Sequence, residues 1–315
     1  MTPLDDVYLE IEWPQSREFQ LVGLGLNAVD WICILPHFPL HNTKMQIEEF
    51  HQLGGGQVAT ASALCARYGL KVRYIGRVGD DDIGRFSLED LKKEPMDVSN
   101  VDIVEGTFSQ YAIILVDRPS GERTILWDRD PALHYGENEL NRESVVSGQM
   151  LHLDGHDQPA CIQAAQWARD SGMKISVDID KVQPGVDRLL ELTDFVLVSS
   201  NFVREFSGLK DWKDGLLKVS RVTRGLVGVT RGRQGSAIIW ENEIIEVAGL
   251  PVDSVDSTGA GDIYHGGFIF GLFQGWSLGR CLQIANAAGA LACTEYGARK
   301  GIPPLDDLLA KLEQM

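Results

Sequence analysis

Cysteine is scarce and unpatterned in this 315-residue chain: the five present, Cys33, Cys65, Cys161, Cys281 and Cys293, show no C-x-x-C spacing. An odd, scattered set in apolar or mixed segments implies reduced, mostly buried thiols, and implies neither a disulfide framework nor a zinc site. No uninterrupted apolar run reaches the length that a bilayer span requires. Residues 1–20 carry Asp5, Asp6, Glu10, Glu12 and Glu18 and lack an apolar core, so no signal peptide is expected. Basic residues are outnumbered, 29 Lys plus Arg against 45 Asp plus Glu, for a formal charge of −16 and without a basic stripe. That argues against nucleic acid or an anionic membrane as the main partner. Internal repeats, low-complexity tracts and extended linkers are missing too. What remains is the expectation of a cytoplasmic globular protein, 44% hydrophobic and long enough to bury a substantial core.

From Gln149 onward, apolar runs of strand length alternate with segments of helical period. Strands are predicted over 150–154, 174–178, 195–199 and 226–230, and helices over 159–171, 185–192, 203–207 and 212–219. A hairpin (236–240, 243–247), two helices and a C-terminal helix over 305–314 complete the pattern. Before residue 149 the pattern predicts a strand over 19–24, a helix over 58–68, a strand over 71–78 and a helix over 85–93. The alternation predicts a mostly parallel, doubly wound α/β sheet flanked by helices, whose ligands sit beyond the strand C-terminal ends. Asp30, the Gly54–Gly56 loop, Asp154, Thr230 and Asp262 each follow a predicted strand and could share that edge. Two β-rich segments, about 31–52 and 106–128, stand outside the alternation and predict a small separate sheet. Gly23-x-Gly25-x-x-Ala28 superficially fits a dinucleotide fingerprint, but Pro36 and Pro39 follow where that motif needs a helix, which disfavours an oxidoreductase. Asp80, Asp81 and Asp82 read better as a solvated helix start than as a metal site.

The chain is organised around Asp256-Ser257-Thr258-Gly259-Ala260-Gly261-Asp262. Residues 251–255 read as an approach strand with a turn, and a helix is predicted to begin near Gly261. Small residues at 259–261 leave backbone N–H groups open at a helix N-terminus, where the macrodipole favours anions. A carboxylate beside such donors repels a simple phosphate ligand. It makes chemical sense if the acid takes a proton while the donors stabilise a transferring phosphoryl group. The plainer alternative is that Asp262 caps the helix.

That string resembles the Asp-Thr-x-Gly-Ala-Gly-Asp signature of the ribokinase-like (PfkB) sugar kinases, and the order of further motifs is similar over about residues 19–304. The resemblance implies an ATP-dependent, Mg²⁺-assisted carbohydrate kinase of one ribokinase-like domain over 1–315, with the two β-rich segments as a lid. By the same resemblance Asp262 is the catalytic base and Gly259, Ala260 and Gly261 form the anion hole. Asn27, Asp30, Gly55, Gly56, Gln57, Thr60 and Asp154 would face the sugar; Thr60 stands where the family commonly has Asn. Ser199, Thr230, Gly232, Gly235 and Asn286 would line the nucleotide. The family's Asn-x-x-Glu element falls on Ser199–Phe202, without its acid; a slip of register would bring Asn201 and Glu205 there instead. Asp256, Thr258 and carbonyls near Ala292, Glu295 and Gly297 would form a K⁺ site, whose further side-chain ligand is replaced by Gly301. Alternatives within the resemblance are a nucleoside kinase and a noncatalytic sugar- or nucleotide-sensing relative. A homodimer through the lid is also implied. Taken alone, Asp30 and Asp154 could be turn residues, and His156 and His265 read as structural histidines.

Overall fold

The computed structural model describes residues 4–136 and 138–313. In chain order the elements are β1 (Phe19–Leu24), β2 (Ala28–Leu35), β3 (Glu49–Gly55), α1 (Gln57–Arg67), β4 (Val72–Gly79), α2 (Asp82–Leu91) and β5 (Asp97–Val104). Next come β6 (Tyr111–Asp117), β7 (Arg123–Asp128), α3 (Arg142–Val145), β8 (Gly148–Leu153), α4 (Gln158–Asp170), β9 (Lys174–Val177), α5 (Val186–Leu192), β10 (Phe195–Ser199) and α6 (Ser200–Ser207). The chain continues through α7 (Trp212–Val219), β11 (Leu226–Thr230), β12 (Ser236–Trp240), β13 (Glu243–Val247), α8 (Ala260–Phe273), α9 (Leu278–Ala292) and α10 (Leu305–Leu312).

Nine strands form one sheet in the order β13-β12-β11-β10-β9-β8-β1-β4-β5, parallel except for the β11-β12-β13 edge. Strands such as β10 (Phe-Val-Leu-Val-Ser) are continuous apolar runs because helices cover both of their faces. The chain winds outward in both directions from β1 and β8, so the reversal of strand order lies between them. There the backbone N–H of Leu26 donates to Asp154 Oδ2 at 2.6 Å, stitching the two strand ends together. A crevice beyond the strand C-termini at such a reversal is where doubly wound sheets bind ligands.

Helix α8 is apolar on every side and is buried from Ile263 to Leu272. Its glycines are contact points: a Cβ on Gly267 would lie 3.1 Å from Ala285 Cα in α9, and one on Gly266 would lie 2.9 Å from the Ala61 carbonyl of α1. The helix that carries Asp262 is thereby clamped between two neighbours. A second sheet, ordered β3-β2-β6-β7, stands apart from the first.

Several boundaries differ from those expected. Gly54 and Gly55 belong to β3 and pair with Val29 and Ala28, and Asp30 lies within β2; neither is in a loop after a strand. Of the β-rich segment expected over about 31–52, residues 36–48 are not strand, and β3 begins only at Glu49. Residues 251–255 are irregular, because the amides of Val255 and Asp256 bond to the Cys293 carbonyl and not to a strand. The edge strand β5, polar along much of its length, carried no alternation to reveal it. Helix α8 starts one residue earlier than predicted, and Gln314 of the expected C-terminal helix lies outside the described residues.

Candidate active site

Gly259, the residue before α8, has φ of 76°, the left-handed region in which a side chain is strained. A Cβ there would also lie 2.4 Å from Ala298 Cβ. No side chain caps the helix. The Ala260 N–H reaches the Ser257 carbonyl at 3.4 Å and that of Ile263 reaches Gly259 at 2.9 Å, so the amides of Gly261 and Asp262 have no backbone acceptor among the described residues. Gly261 is exposed, and a Cβ on it would meet nothing within 4 Å. Two free donors thus face open space at the positive end of a 14-residue helix. The loop that feeds them is held by buried Asp256. Its Oδ1 accepts from the N–H and Oγ1 of Thr258 (2.9 and 2.7 Å), and its Oδ2 from the Gly297 N–H at 2.9 Å.

Asp262 stays partly exposed beside these donors. Its carboxyl is pushed well above the usual carboxylate range, first by loss of solvation and then by the negative field of Asp178 and Asp30. Asp180 adds to that field, and Arg123 opposes it. An acid so raised is a better proton acceptor once ionised. Arg123 comes from β7 of the small sheet and donates from Nη1 to Ser257 Oγ. The same hairpin touches the loop at Gly121, whose Cβ would lie 2.8 Å from the Ser254 carbonyl. Further along β7, Lys181 Nζ stands 4.8 Å from the centre of the Trp127 ring. The small sheet therefore leans on the loop that leads into α8.

Asp178, at the C-terminal end of β9, pairs with His265 Nε2 of α8 at 3.2 Å. Burial pushes Asp178 up, but His265, through charge and a hydrogen bond, outweighs it and leaves the Asp178 carboxyl below the ordinary range. His152 is pushed down to about 3 by burial and by His265, and is neutral.

On the facing side, Asp30 is buried and its carboxyl is raised to about 7, by desolvation first, against the pull of Arg299 and with a further push from Asp256. Gly55 has to lack a side chain, since a Cβ there would lie 2.1 Å from Asp30 Oδ2. Gly56 has φ of 95° and packs on Asn27 Cα. Gln57 Oε1 lies 2.8 Å from His156 Nε2, which is 3.7 Å from Asp180 Oδ1. Asp30, Gly55, Gly56 and Gln57 thus lie together. Two other expected sugar contacts are committed internally, and a third is buried. Asn27 bonds Tyr74 Oη, the Arg77 carbonyl and Ser87 Oγ. Asp154 accepts from the amides of Leu26 and His156. Thr60 has no exposed surface.

Asp30 also gives a stability prediction. Its folded pKa lies above its unfolded one, so between about pH 4 and 7 the folded state binds more protons and stability falls as pH rises. Melting of the ligand-free protein between pH 5 and 8 should show this decline, on the order of a few kcal/mol at most. Asp30→Asn should make it shallower, leaving the part due to Asp262; an unchanged slope would remove Asp30 as a source.

Ser199 and Thr230 are register partners on β10 and β11. Ser199 Oγ caps α6 by accepting from the Phe202 N–H at 3.1 Å. Phe202, at the position of the family's acid, is fully buried in the core, whereas Asn201 and Glu205 are exposed on α6. Gly232 (φ 56°) and Gly235 (φ 87°) shape the turn after β11, and Gly235 packs on the Val247 carbonyl. Asn286 Nδ2 donates to the Val247 and Ala248 carbonyls at 3.1 and 3.3 Å, tying α9 to the hairpin. Among the described residues no group of three or more His, Cys, Asp or Glu side chains could by itself hold a metal ion. Near Gly301 the Ala292 and Gly297 carbonyls converge, each 2.9 Å from where a Cβ would be, and each already accepts an amide, from Glu295 and Gly301 respectively.

Arg123, Asp178 and Asp180 were not legible as site residues from sequence. Asp178 ends a predicted strand and Asp180 follows it, so both could have been found by collecting every carboxylate at that edge. Arg123 gave no local signal, because only the placement of the small sheet brings it to Ser257.

A doubly wound sheet whose reversal point faces an uncapped helix carrying a carboxylate defines the ribokinase-like class. The pfkB family carbohydrate kinase pattern matches residues 20–305, and the chain belongs to that family. It is similar to a nucleoside kinase of Methanothermobacter thermautotrophicus, 26% identical, covering 91% of this chain and 94% of the relative. A ribokinase of Haemophilus influenzae is 25% identical over 93% of this chain and 98% of its own. The structure of Arabidopsis thaliana ribokinase complexed with ribose and ATP superposes with a TM-score of 0.80 at 22% identity, covering 94% of this chain and 99% of that one. The protein is a sugar or nucleoside kinase of the pfkB family. No helix among the described residues is long and apolar enough to cross a membrane.

Proposed function

We propose that the protein transfers the γ-phosphoryl group of ATP to a hydroxyl of a small neutral sugar. The observation that carries this reading is the meeting of a raised carboxyl, Asp262, with two unpaired amides, those of Gly261 and Asp262, at one helix tip. Asp30 and the Gly55–Gln57 turn orient the acceptor so that one hydroxyl lies within reach of Asp262. Asp262 takes its proton as the oxygen attacks phosphorus. The helix-tip amides and Arg123 hold the negative charge of the group in transit, so that positioning and electrostatics supply most of the acceleration. Ser199, Thr230 and the 232–235 turn run along the nucleotide, and Asn286 shapes the wall of the base pocket. Mg²⁺, bound chiefly by the phosphates and water, would neutralise phosphate charge.

Four carboxylates, Asp30, Asp178, Asp180 and Asp262, share this field. It disfavours acceptors that carry a carboxylate or phosphate. A coupled ADP-release screen over ribose, fructose, other ketoses, sugar acids, sugar phosphates and nucleosides tests the proposal. The expected result is turnover of a neutral sugar, with anionic analogues at least about tenfold slower, a modest share of what like-charge contact costs. Turnover confined to nucleosides would select the nucleoside kinase instead. No turnover of any acceptor would favour the noncatalytic relative.

The small sheet would act as a lid that excludes water from the transfer. Strand β7 is exposed along its whole length, and Phe50, Ile125, Leu126 and Trp127 present apolar surface. An open edge with such surface suits a second copy, so the lid is also proposed as a homodimer contact. Sedimentation should give a dimer at micromolar concentration; a monomer there would count against it.

A further inference from the structure

At the opposite end of the main sheet, a cavity of about 680 Å³ is lined by Arg169, Arg188, Arg221 and Arg224, with Glu191 as its lone carboxylate. Leu192 and Thr223, which also line it, lie just before β10 and β11. Ser199 and Thr230 end those strands, so the cavity lies a strand length, about 15 Å, from the proposed nucleotide site. Two of the arginines are already engaged. Arg169 donates to the Leu192 carbonyl at 3.2 and 2.9 Å and lies 3.7 Å from Asp194. Arg188 pairs with Glu191 at 2.9 Å and donates to Gln166. Arg221 and Arg224 have no side-chain hydrogen bond or ion pair among the described residues, on a chain with 45 acidic residues.

Four guanidinium groups against two carboxylates, Glu191 and Asp194, leave Arg221 and Arg224 as the unpaired positive charge of this corner on a protein of net charge −16. Arginine heads present forked donors that match phosphate oxygens, and the cavity has the size of a small-molecule site. A second cavity of about 390 Å³ adjoins it and shares Arg224; Leu9, Ile11 and Trp240 give it apolar walls, and Glu10, Asp194, Glu241 and Lys174 also line it. It offers room for an organic group attached to the anion. We infer that this rear cavity is a binding site for a small phosphorylated molecule, separate from the catalytic site, with Arg221 and Arg224 as its principal anion contacts. The inference does not depend on which acceptor the kinase uses.

Inorganic pyrophosphate is the probe. Equilibrium dialysis on the full-length protein should show one pyrophosphate that does not compete with ATP, weakened at least about tenfold in Arg221→Gln/Arg224→Gln and by raised salt. A single Arg224→Ala variant, with melting temperature recorded for both, keeps the test independent of folding. Inhibition by pyrophosphate competitive with ATP reports the catalytic site and should be equal in all three proteins. The inference is overturned if the wild-type protein binds only the ATP-competitive equivalent, or if the double variant binds as many equivalents as the wild type.

Discussion

Asp262→Asn should lower kcat by about 10²–10⁴ while leaving ATP binding, read by calorimetry, within a few-fold of wild type. The substitution is nearly isosteric and keeps the backbone donors at Gly261 and Asp262, so the anion hole survives while the proton acceptor is lost. Stability separates this outcome from simple damage. The carboxyl of Asp262 is raised by desolvation and by Asp178 and Asp30, which means its ionised form is unfavourable in the folded protein. An amide removes that cost, so the variant should melt no lower than wild type and, above neutral pH, higher. The wild-type pH profile has a matching sign: kcat should fall as pH drops through the raised pKa and the base becomes protonated. A folded Asn variant that turns over within tenfold of wild type would take Asp262 out of the reaction.

The architecture was legible because it rests on strong periodic signals. Strands such as β10 and β11 are apolar runs up to their last residue, and the helices between them carry a clear 3.6-residue pattern. The uncapped start of α8 was legible for a different reason, since a run of small residues ahead of an apolar helical pattern marks an open helix tip. What stayed hidden was whatever depends on long-range placement. Asn27 and Asp154 sit in the right segments, yet their polar atoms bind Tyr74, Ser87 and the Leu26 and His156 amides. No sequence pattern distinguishes a side chain turned into a crevice from one turned into the fold. Arg123 is the converse, a hairpin residue with no local mark that the small sheet delivers to the loop ahead of α8. Strand β5 was missed because an edge strand needs only one apolar face, and its burial is incomplete along most of its length.

Gly261→Ala tests the anion hole apart from the base, and its two readouts should move in opposite directions. A Cβ at 261 meets no atom within 4 Å, and the residue is helical, without the left-handed φ of its neighbour Gly259. Replacing glycine by alanine in a helix is worth up to about 1 kcal/mol, on the order of 1–2 °C in a chain of this size. The fold should therefore gain slightly. The open space beside that position, however, is where the transferring phosphoryl group must meet the two free amides. A methyl group there displaces it, and loss of such donors costs roughly 10²–10³ in kcat. Gly259→Ala provides the contrast, since its φ of 76° and the 2.4 Å approach to Ala298 Cβ should make it melt lower than wild type whatever its activity. If Gly261→Ala keeps wild-type kcat, the helix tip does not contact the phosphoryl group, because nothing in the fold itself resists that methyl.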